Sequence, residues 1–555
     1  MVINGTDDDD LLLGTATDDS ISGFAGDDTL VSGGGQDTLD GGTGRDTASF
    51  ADVAAGVTVV LASGFEVTSG TSLVDIENVR GSRFGDVISG DDEANRLSGG
   101  AGDDVLGGEA GNDTLVGGAG DDALDGGEGM DLASYAGASG AVSVNLATGV
   151  ATGEGTDALN DIESALGSDF DDTLIGSAGA NWLGGGLGND SLSGGDGNDT
   201  LASGAGADTL DGGAGFDIAT YIGASSAINL QLASGFEVTS GDMLSGIEGA
   251  IGSNFGDVMV GDAEANWLYG VDGDDVIDGG SGRDTLVGGL GNNVLDGGDG
   301  VDTVSYVYAS GAVTVSLDTG TATAPDINDV LSNIEAVIGS QFDDSITGDA
   351  LENLLVGNLG DDTLQGGAGN DWLQGGPGSN VIDGGEGFAD VVDYFALTSG
   401  VTVDLLACKT TGAATDTLLN IEWVKGTDFA DSITGDVASN LLSGMGGDDV
   451  LAGGEGDDTL EGGAGADTLS GDEGNDYFRF SAGEADGDVV TDFVGNGALP
   501  GDVLEFYGYG TVLDGASIQN IGGDTWEVRS FDGSIVDTIT IAGVTDLDGS
   551  DVLFV

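Results

Sequence analysis

Along most of this chain an apolar residue returns every nine positions, set between small and polar neighbours. From residue 81 to 134 the pattern runs through six units without a slip, and Leu106, Leu115, Leu124 and Ala133 fill its apolar position in succession. One unit reads Gly99-Gly100-Ala101-Gly102-Asp103-Asp104-Val105-Leu106-Gly107, a G-G-x-G-x-D-x-U-x sentence with U apolar. The last three residues predict a minimal strand with one inward side chain, and the glycine-rich six before them predict a tight turn. Two units complete one coil, so turns i and i+2 stack on the same side of a parallel β-solenoid. Glycine at positions 1, 2 and 4 is expected to supply backbone angles closed to other residues.

The units fall into blocks. Five run from residue 5 to 49, and blocks of six follow at 81–134, 167–220, 252–305, 339–393 (with one extra residue near Ala389) and 426–479. The six-unit blocks therefore recur every 85–87 residues. Between them lie similar segments that open on an aromatic (Phe50, Tyr135, Tyr221, Tyr306, Tyr394) and close on an Ile-Glu pair ending at Glu77, Glu163, Glu248, Glu335 or Glu422. Alternation such as Ala141-Val142-Ser143-Val144-Asn145-Leu146 predicts strands, and the segments are expected to be broader turns of the same solenoid. From about Phe480 the repeat gives way to strand-like runs at 489–493, 502–506 and 537–541, expected to cap the open edge. The modules are thus 1–49, 50–134, 135–220, 221–305, 306–393, 394–479 and a cap at 480–555. No helix of useful length is predicted.

Charge changes the picture. The chain of 555 residues carries 110 Gly, 100 Asp and Glu against 9 Lys and Arg, no His, and a net charge of −91, yet 39% of it is hydrophobic. These facts reconcile if the acid is gathered into cation sites around a thin core. Nucleic acid is excluded as a partner, because no basic patch exists to displace counterions from phosphate. No apolar run is long enough to span a membrane. Met1 to Gly5 shows no secretory leader, and Cys408, alone, is read as an incidental thiol.

The turns offer only carboxylate and carbonyl oxygens, a hard donor set that favours Ca2+ over transition metals. One inward aliphatic per unit contributes roughly 2 kcal/mol, whereas ordering nine residues costs on the order of 10 kcal/mol. Folding is therefore expected to depend on calcium. Pairing turns i and i+2 within each block gives roughly twenty or more ions.

The repeat resembles the RTX (repeats-in-toxin) family, whose nonapeptides form calcium-filled parallel β-rolls. By that resemblance the fold is all-β, an elongated β-roll, and the position-6 aspartates are calcium ligands. In the first block these are Asp10, Asp19, Asp28, Asp37 and Asp46. The next two supply Asp86, Asp104, Asp113, Asp122 and Asp131, then Asp172, Asp190, Asp199, Asp208 and Asp217. They continue as Asp257, Asp275, Asp284 and Asp302, then Asp344, Asp362 and Asp371, and end at Asp431, Asp449, Asp458, Asp467 and Asp476. Two departures are systematic. The first unit of each six-unit block has Phe at position 4 (Phe84, Phe170, Phe255, Phe342, Phe429), and the second has Asn at position 6 (Asn95, Asn181, Asn266, Asn353, Asn440). Asn293 and Asn380 are further losses. Sites at these asparagines are expected to be weaker or missing, since Asn brings no charge.

Catalysis is not expected. The lack of His removes triads and zinc-protease motifs. The repeats begin at residue 5, which leaves no room for a catalytic module before them, and the five recurring Ile-Glu glutamates read as architecture. Trp182, Trp267 and Trp372 at outward position 7 are expected to be covered by the neighbouring wide segments. The resemblance also implies export from a Gram-negative bacterium by a type I secretion system through an uncleaved C-terminal signal within 480–555. The functional expectation is a secreted, self-associating structural protein of the cell surface or matrix. A calcium-dependent adhesin that binds cell-surface polysaccharide is the alternative.

Overall fold

The computed structural model describes residues 1–495, 501–512 and 515–555. They form two compact units, Met1–Asp272 and Gly273–Val555. Among the described residues the helical content is two single-turn 3-10 helices, Leu61–Ser63 and Leu232–Ser234. Everything else regular is strand, as the nine-residue pattern requires.

Inside each unit successive nonapeptides alternate between two sheets, here called I and II, and each strand pairs in parallel with the strand two nonapeptides on. In the first unit Val105–Ala110 lies beside Ala123–Glu128 in sheet I, with Leu106 opposite Leu124. Arg96–Ala101 lies beside Thr114–Ala119 in sheet II, with Leu97 opposite Leu115. The second unit repeats this, Leu442 opposite Leu460 and Leu451 opposite Leu469. The position-8 side chains are sealed: Leu97, Leu106 and Leu115 have no solvent exposure and Leu124 has 2%. Neighbouring positions 7 and 9 point outward, the period-two consequence of a pleated strand.

The glycines serve two purposes. At positions 2 and 4 the backbone is left-handed, as at Gly118 (φ 101°) and Gly120 (φ 151°). Position 1 corrects the expectation, because Gly108 and Gly117 do not have positive φ. The need there is space. A methyl group at Gly108 would lie 2.2 Å from Asp113 Oδ2 and 2.4 Å from the carbonyl oxygen of Gly126.

The wide segments are more than broad turns. Each inserts a three-stranded antiparallel meander into sheet I. Ser143–Asn145, Val150–Thr152 and Thr156–Asn160 pair in that order. The last strand continues in parallel from Ala123–Glu128, and the first leads in parallel into Thr173–Ile175. Sheet II meanwhile passes directly from Leu132–Ser134 to Ser164–Leu166. The first unit has this arrangement three times, starting at Thr58–Val60, Ser143–Asn145 and Asn229–Gln231. The second has it twice, starting at Thr314–Ser316 and Val401–Asp404. The opening aromatics Phe50, Tyr135, Tyr221, Tyr306 and Tyr394 are all buried.

At the C-terminal end Tyr477–Ser481 pairs with Val503–Tyr507, which pairs with Val552–Phe554. Phe506 stacks between Phe480 and Phe554, with ring centroids 5.3 and 5.1 Å away. The expected run at 489–493 contributes only Val489–Val490. A hairpin of Ser517–Gly522 and Thr525–Arg529, unforeseen in the sequence, joins Val536–Ile541.

Candidate metal centres

The position-6 aspartates form two columns in each unit, one at each edge where the chain crosses between sheets. Each backbone N–H donates to the carboxylate one coil further on. In the first unit Asp86 N donates to Asp104 Oδ1 (2.7 Å), Asp104 N to Asp122 Oδ1 (2.8 Å) and Asp122 N to Asp157 Oδ1 (3.0 Å). The other column runs from Asn95 N to Asp113 Oδ1 and from Asp113 N to Asp131 Oδ1, both 2.7 Å. The second unit repeats the ladder, for example Asp431 to Asp449 (2.7 Å) and Asp449 to Asp467 (2.9 Å).

This ladder uses one carboxylate oxygen and leaves the other bare. Asp104, Asp113, Asp122 and Asp131 are buried, and their Oδ2 atoms have no hydrogen-bond partner among the described residues. The clash at Gly108 shows what faces such an atom: the carbonyl oxygen of position 1 in the next coil. An unpaired buried carboxylate is expensive, and it is answered either by protonation or by a cation. Burial accordingly pushes Asp104 up to about 7, with the like charges of Asp122 and Asp86 adding to the effect. Burial also lifts Asp113 to about 6 and Asp208 and Asp449 to about 7. The donors are carbonyls and one or two carboxylates per turn; among the described residues no three acidic, Cys or His side chains gather at one point. All-oxygen, carbonyl-rich surroundings suit Ca2+.

A family model, the RTX calcium-binding nonapeptide repeat (4 copies), matches residues 4–48, 80–132, 157–219, 251–306, 356–388 and 425–484, more than half of the chain. The chain belongs to the RTX family. RTX repeats bind Ca2+, and the bare oxygens lie where the repeats stack. Among solved structures, the extracellular lipase LipA from Serratia marcescens is similar at 20% identity and a TM-score of 0.19. That match covers 55% of this chain and 40% of the lipase. No curated protein matches the chain.

The RTX aspartates divide into two kinds. Like Asp104, the residues Asp28, Asp46, Asp190, Asp199, Asp208, Asp217 and Asp302 each leave Oδ2 without a protein donor, as do Asp362, Asp371, Asp449, Asp458, Asp467 and Asp476. Asp275 and Asp284 sit in the same ladder, their N–H groups donating to Asn293 Oδ1 (3.0 Å) and Asp302 Oδ1 (2.8 Å). The first aspartate of each six-unit block differs. Asp86 accepts from Ser82 N (2.6 Å), Ser82 Oγ (2.9 Å) and Val57 N (2.6 Å). Asp172, Asp257 and Asp344 are held alike by Ser168, Ser253 and Ser340, and Asp431 by Thr427. Near the N-terminus Asp10, Asp19 and Asp37 accept from the hydroxyls of Thr6, Thr15 and Ser32.

The asparagines are bonded within the protein. Asn95 Nδ2 donates to the carbonyl of Glu77, and Asn181 Nδ2 to that of Glu163, both at 2.9 Å, a bond Asp cannot make. Asn266, Asn353 and Asn440 donate likewise to Glu248, Glu335 and Glu422. Asn293 and Asn380 each donate to a carboxylate across the coil, Asp329 (2.9 Å) and Asp416 (3.0 Å).

Several members of the columns lie outside the regular register. Asp157, Asp242, Asp329 and Asp416 occupy position 6 inside the insertions, where they accept from Asp122, Asp208, Asn293 and Asn380. A degenerate signal marks the first, Gly153-Glu154-Gly155-Thr156-Asp157-Ala158-Leu159, which keeps positions 2, 4, 6 and 8. Tyr135 Oη donates to Asp157 Oδ2 at 2.9 Å, tying the opening aromatic to this turn. Asp390, displaced by the extra residue near Ala389, accepts from Asp371 N at 2.8 Å.

The outward tryptophans are only partly covered: Trp182 and Trp267 are half-buried, while Trp372 is 37% exposed, against the expectation that the wide segments would cover it. Trp182 and Trp267 pair with Ser164 and Gly249 in the last strand of an insertion. Trp372 donates to Asp393 Oδ2 (3.0 Å), and the Lys425 ammonium lies 5.5 Å from its ring.

Proposed function

We propose that this RTX protein is a secreted calcium-binding structural protein of the cell surface or extracellular matrix, of surface-layer, sheath or filament type. The observation that carries the reading is the column of buried carboxylates, each with one oxygen left bare, repeated through both units. In the calcium-poor cytosol such columns repel themselves and keep the chain loose enough to export through a type I system; external calcium folds it. Outside the C-terminal region the distinctive elements are repeated rather than built once, which favours a structural role over a catalytic one.

Self-association is supported by the surface. Phe84, Phe170, Phe255, Phe342 and Phe429 stand at the same turn of five successive modules, each between 44% and 47% exposed. A recurring apolar contact of this sort suits lateral association of copies. It also favours a second reading, an adhesin whose exposed aromatics stack on polysaccharide.

Imaging the full chain in calcium and in chelator separates the two. Sheets or filaments that form in calcium and dissolve in chelator support assembly. Monomers that persist in calcium and bind a glycan array overturn it in favour of adhesion.

A further inference from the structure

The insertions interrupt the nonapeptide motif five times, yet the columns of oxygens continue through them. The final turn of each insertion has three residues where a nonapeptide turn has six. In the second insertion Asp161, Ile162 and Glu163 link the strand Thr156–Asn160 to Ser164–Leu166. The equivalent turns are 75–77, 246–248, 333–335 and 420–422.

This short turn reproduces both features of a regular one. In the regular column the N–H of Asp113 donates to the carboxylate of Asp131. The N–H of Asp131 in turn donates to Glu163 Oε2 at 3.0 Å. The same bond joins Asp46 to Glu77 (2.7 Å), Asp217 to Glu248 and Asp302 to Glu335 (2.9 Å each), and Asp390 to Glu422 (3.0 Å). Glutamate's extra methylene supplies the reach that the shortened backbone lost.

The carbonyl is replaced as well. A methyl at Gly126 would lie 2.0 Å from the carbonyl oxygen of Asp161 and 2.5 Å from Asp131 Oδ2. Asp161 thus presents its carbonyl where a regular turn presents that of its first glycine. It does so in a left-handed conformation, φ 45°, and Asp75, Gly246, Asn333 and Asn420 share it at 49°, 57°, 52° and 51°. These are the residue types that tolerate such angles. At all five places the facing aspartate (Asp46, Asp131, Asp217, Asp302 or Asp390) has no solvent exposure, and its Oδ2 has no hydrogen-bond partner among the described residues.

We propose that these five turns are cation sites outside the nonapeptide motif. Each holds a hard divalent cation of the calcium class between the buried aspartate, the left-handed residue's carbonyl and the glutamate carboxylate. The proposal rests on calcium binding by RTX repeats and is independent of any surface role. The insertions are then continuous with the calcium columns rather than gaps in them.

The test is calcium stoichiometry of the full chain by equilibrium dialysis with elemental analysis. A variant carrying Glu77→Gln, Glu163→Gln, Glu248→Gln, Glu335→Gln and Glu422→Gln keeps the acceptor but loses the charge. It is expected to bind about five fewer calcium ions than the parent at subsaturating calcium. A charge-matched control carries Gln at the exposed Glu93, Glu128, Glu264, Glu352 and Glu455 and is expected to match the parent. Equal binding by parent and test variant overturns the proposal, as does equal loss in test and control. Should the fivefold variant fail to fold in calcium, Glu163→Gln alone is expected to raise the calcium midpoint of folding, read by circular dichroism; an unchanged midpoint overturns the proposal. Failure of the chain to form sheets or filaments would leave these stoichiometries unaffected.

Discussion

Asp86 and Asp104 occupy the same position of the repeat, one coil apart in one column, yet differ in what surrounds them. Asp86 has its carboxylate filled by Ser82 and Val57. Asp104 has one oxygen bonded to Asp86 N and the other bare in a buried cleft. The motif letter is shared; position 2 decides the difference. Serine there brings a hydroxyl that satisfies the acid within the protein, whereas glycine leaves it for a cation. Each six-unit block therefore opens on a turn complete in itself, passes an asparagine turn bonded within the protein, and continues mostly with turns whose carboxylate keeps one oxygen bare.

Stripping calcium is the strongest way to press on this contrast. Chelator is expected to abolish most β signal in circular dichroism from both units. A spectrum unchanged in chelator would erase the distinction between the two kinds of turn.

Gly108→Ala places a methyl between Asp113 Oδ2 and the Gly126 carbonyl and is expected to destabilise by about 3 kcal/mol or more, with calcium lost from that turn. Gly137→Ala, with open space around it, is expected to stay within about 0.5 kcal/mol. Denaturant unfolding in saturating calcium reads both.

The aspartates themselves give the sharpest pair. Asp86→Asn turns an amide toward the donors of Ser82 and is expected to cost about 1–3 kcal/mol at any calcium concentration. Asp104→Asn keeps the bond from Asp86 but loses a charged ligand, so its effect is expected to appear as a raised calcium midpoint of folding. Identical calcium dependence in the two variants would show the turns to be equivalent.

Acidity offers the gentlest probe. Burial raises Asp104, Asp362 and Asp449 from 3.8 to about 7 in the metal-free fold. The folded chain then holds protons that the unfolded chain has released, so this contribution favours folding at low pH and is lost as pH rises from about 4 through 7. In chelator the folded fraction is expected to be greater at pH 5 than at pH 8. With calcium present the trend reverses, because protons compete for the ligands. Circular dichroism across that range checks both signs.

Much of this was legible in the residues. Nine-residue spacing, one inward aliphatic and three glycines dictate coil, register and core, because each letter answers a separate steric demand. The RTX position-6 aspartates were legible as a column, though which were already bonded was not, since that depends on Ser82 and its equivalents. The insertions were opaque for a geometric reason. Asp161 and Glu163 do the work of a six-residue turn with three residues, so no nonapeptide register reaches them. Asp390 was hidden by one additional residue. Position-1 glycine was read as a matter of backbone angle, whereas the neighbouring carboxylate leaves no volume for a side chain.

The alternation of strands between two sheets has a bearing on how such a chain can change length. Adding one nonapeptide to a block would hand every later strand to the opposite face and put the next meander on the wrong side. Adding two would leave all faces as they were. An even count of six therefore behaves as a parity rule: whole coils or whole modules can be duplicated or deleted in the gene without disturbing what lies downstream, while half-coils cannot.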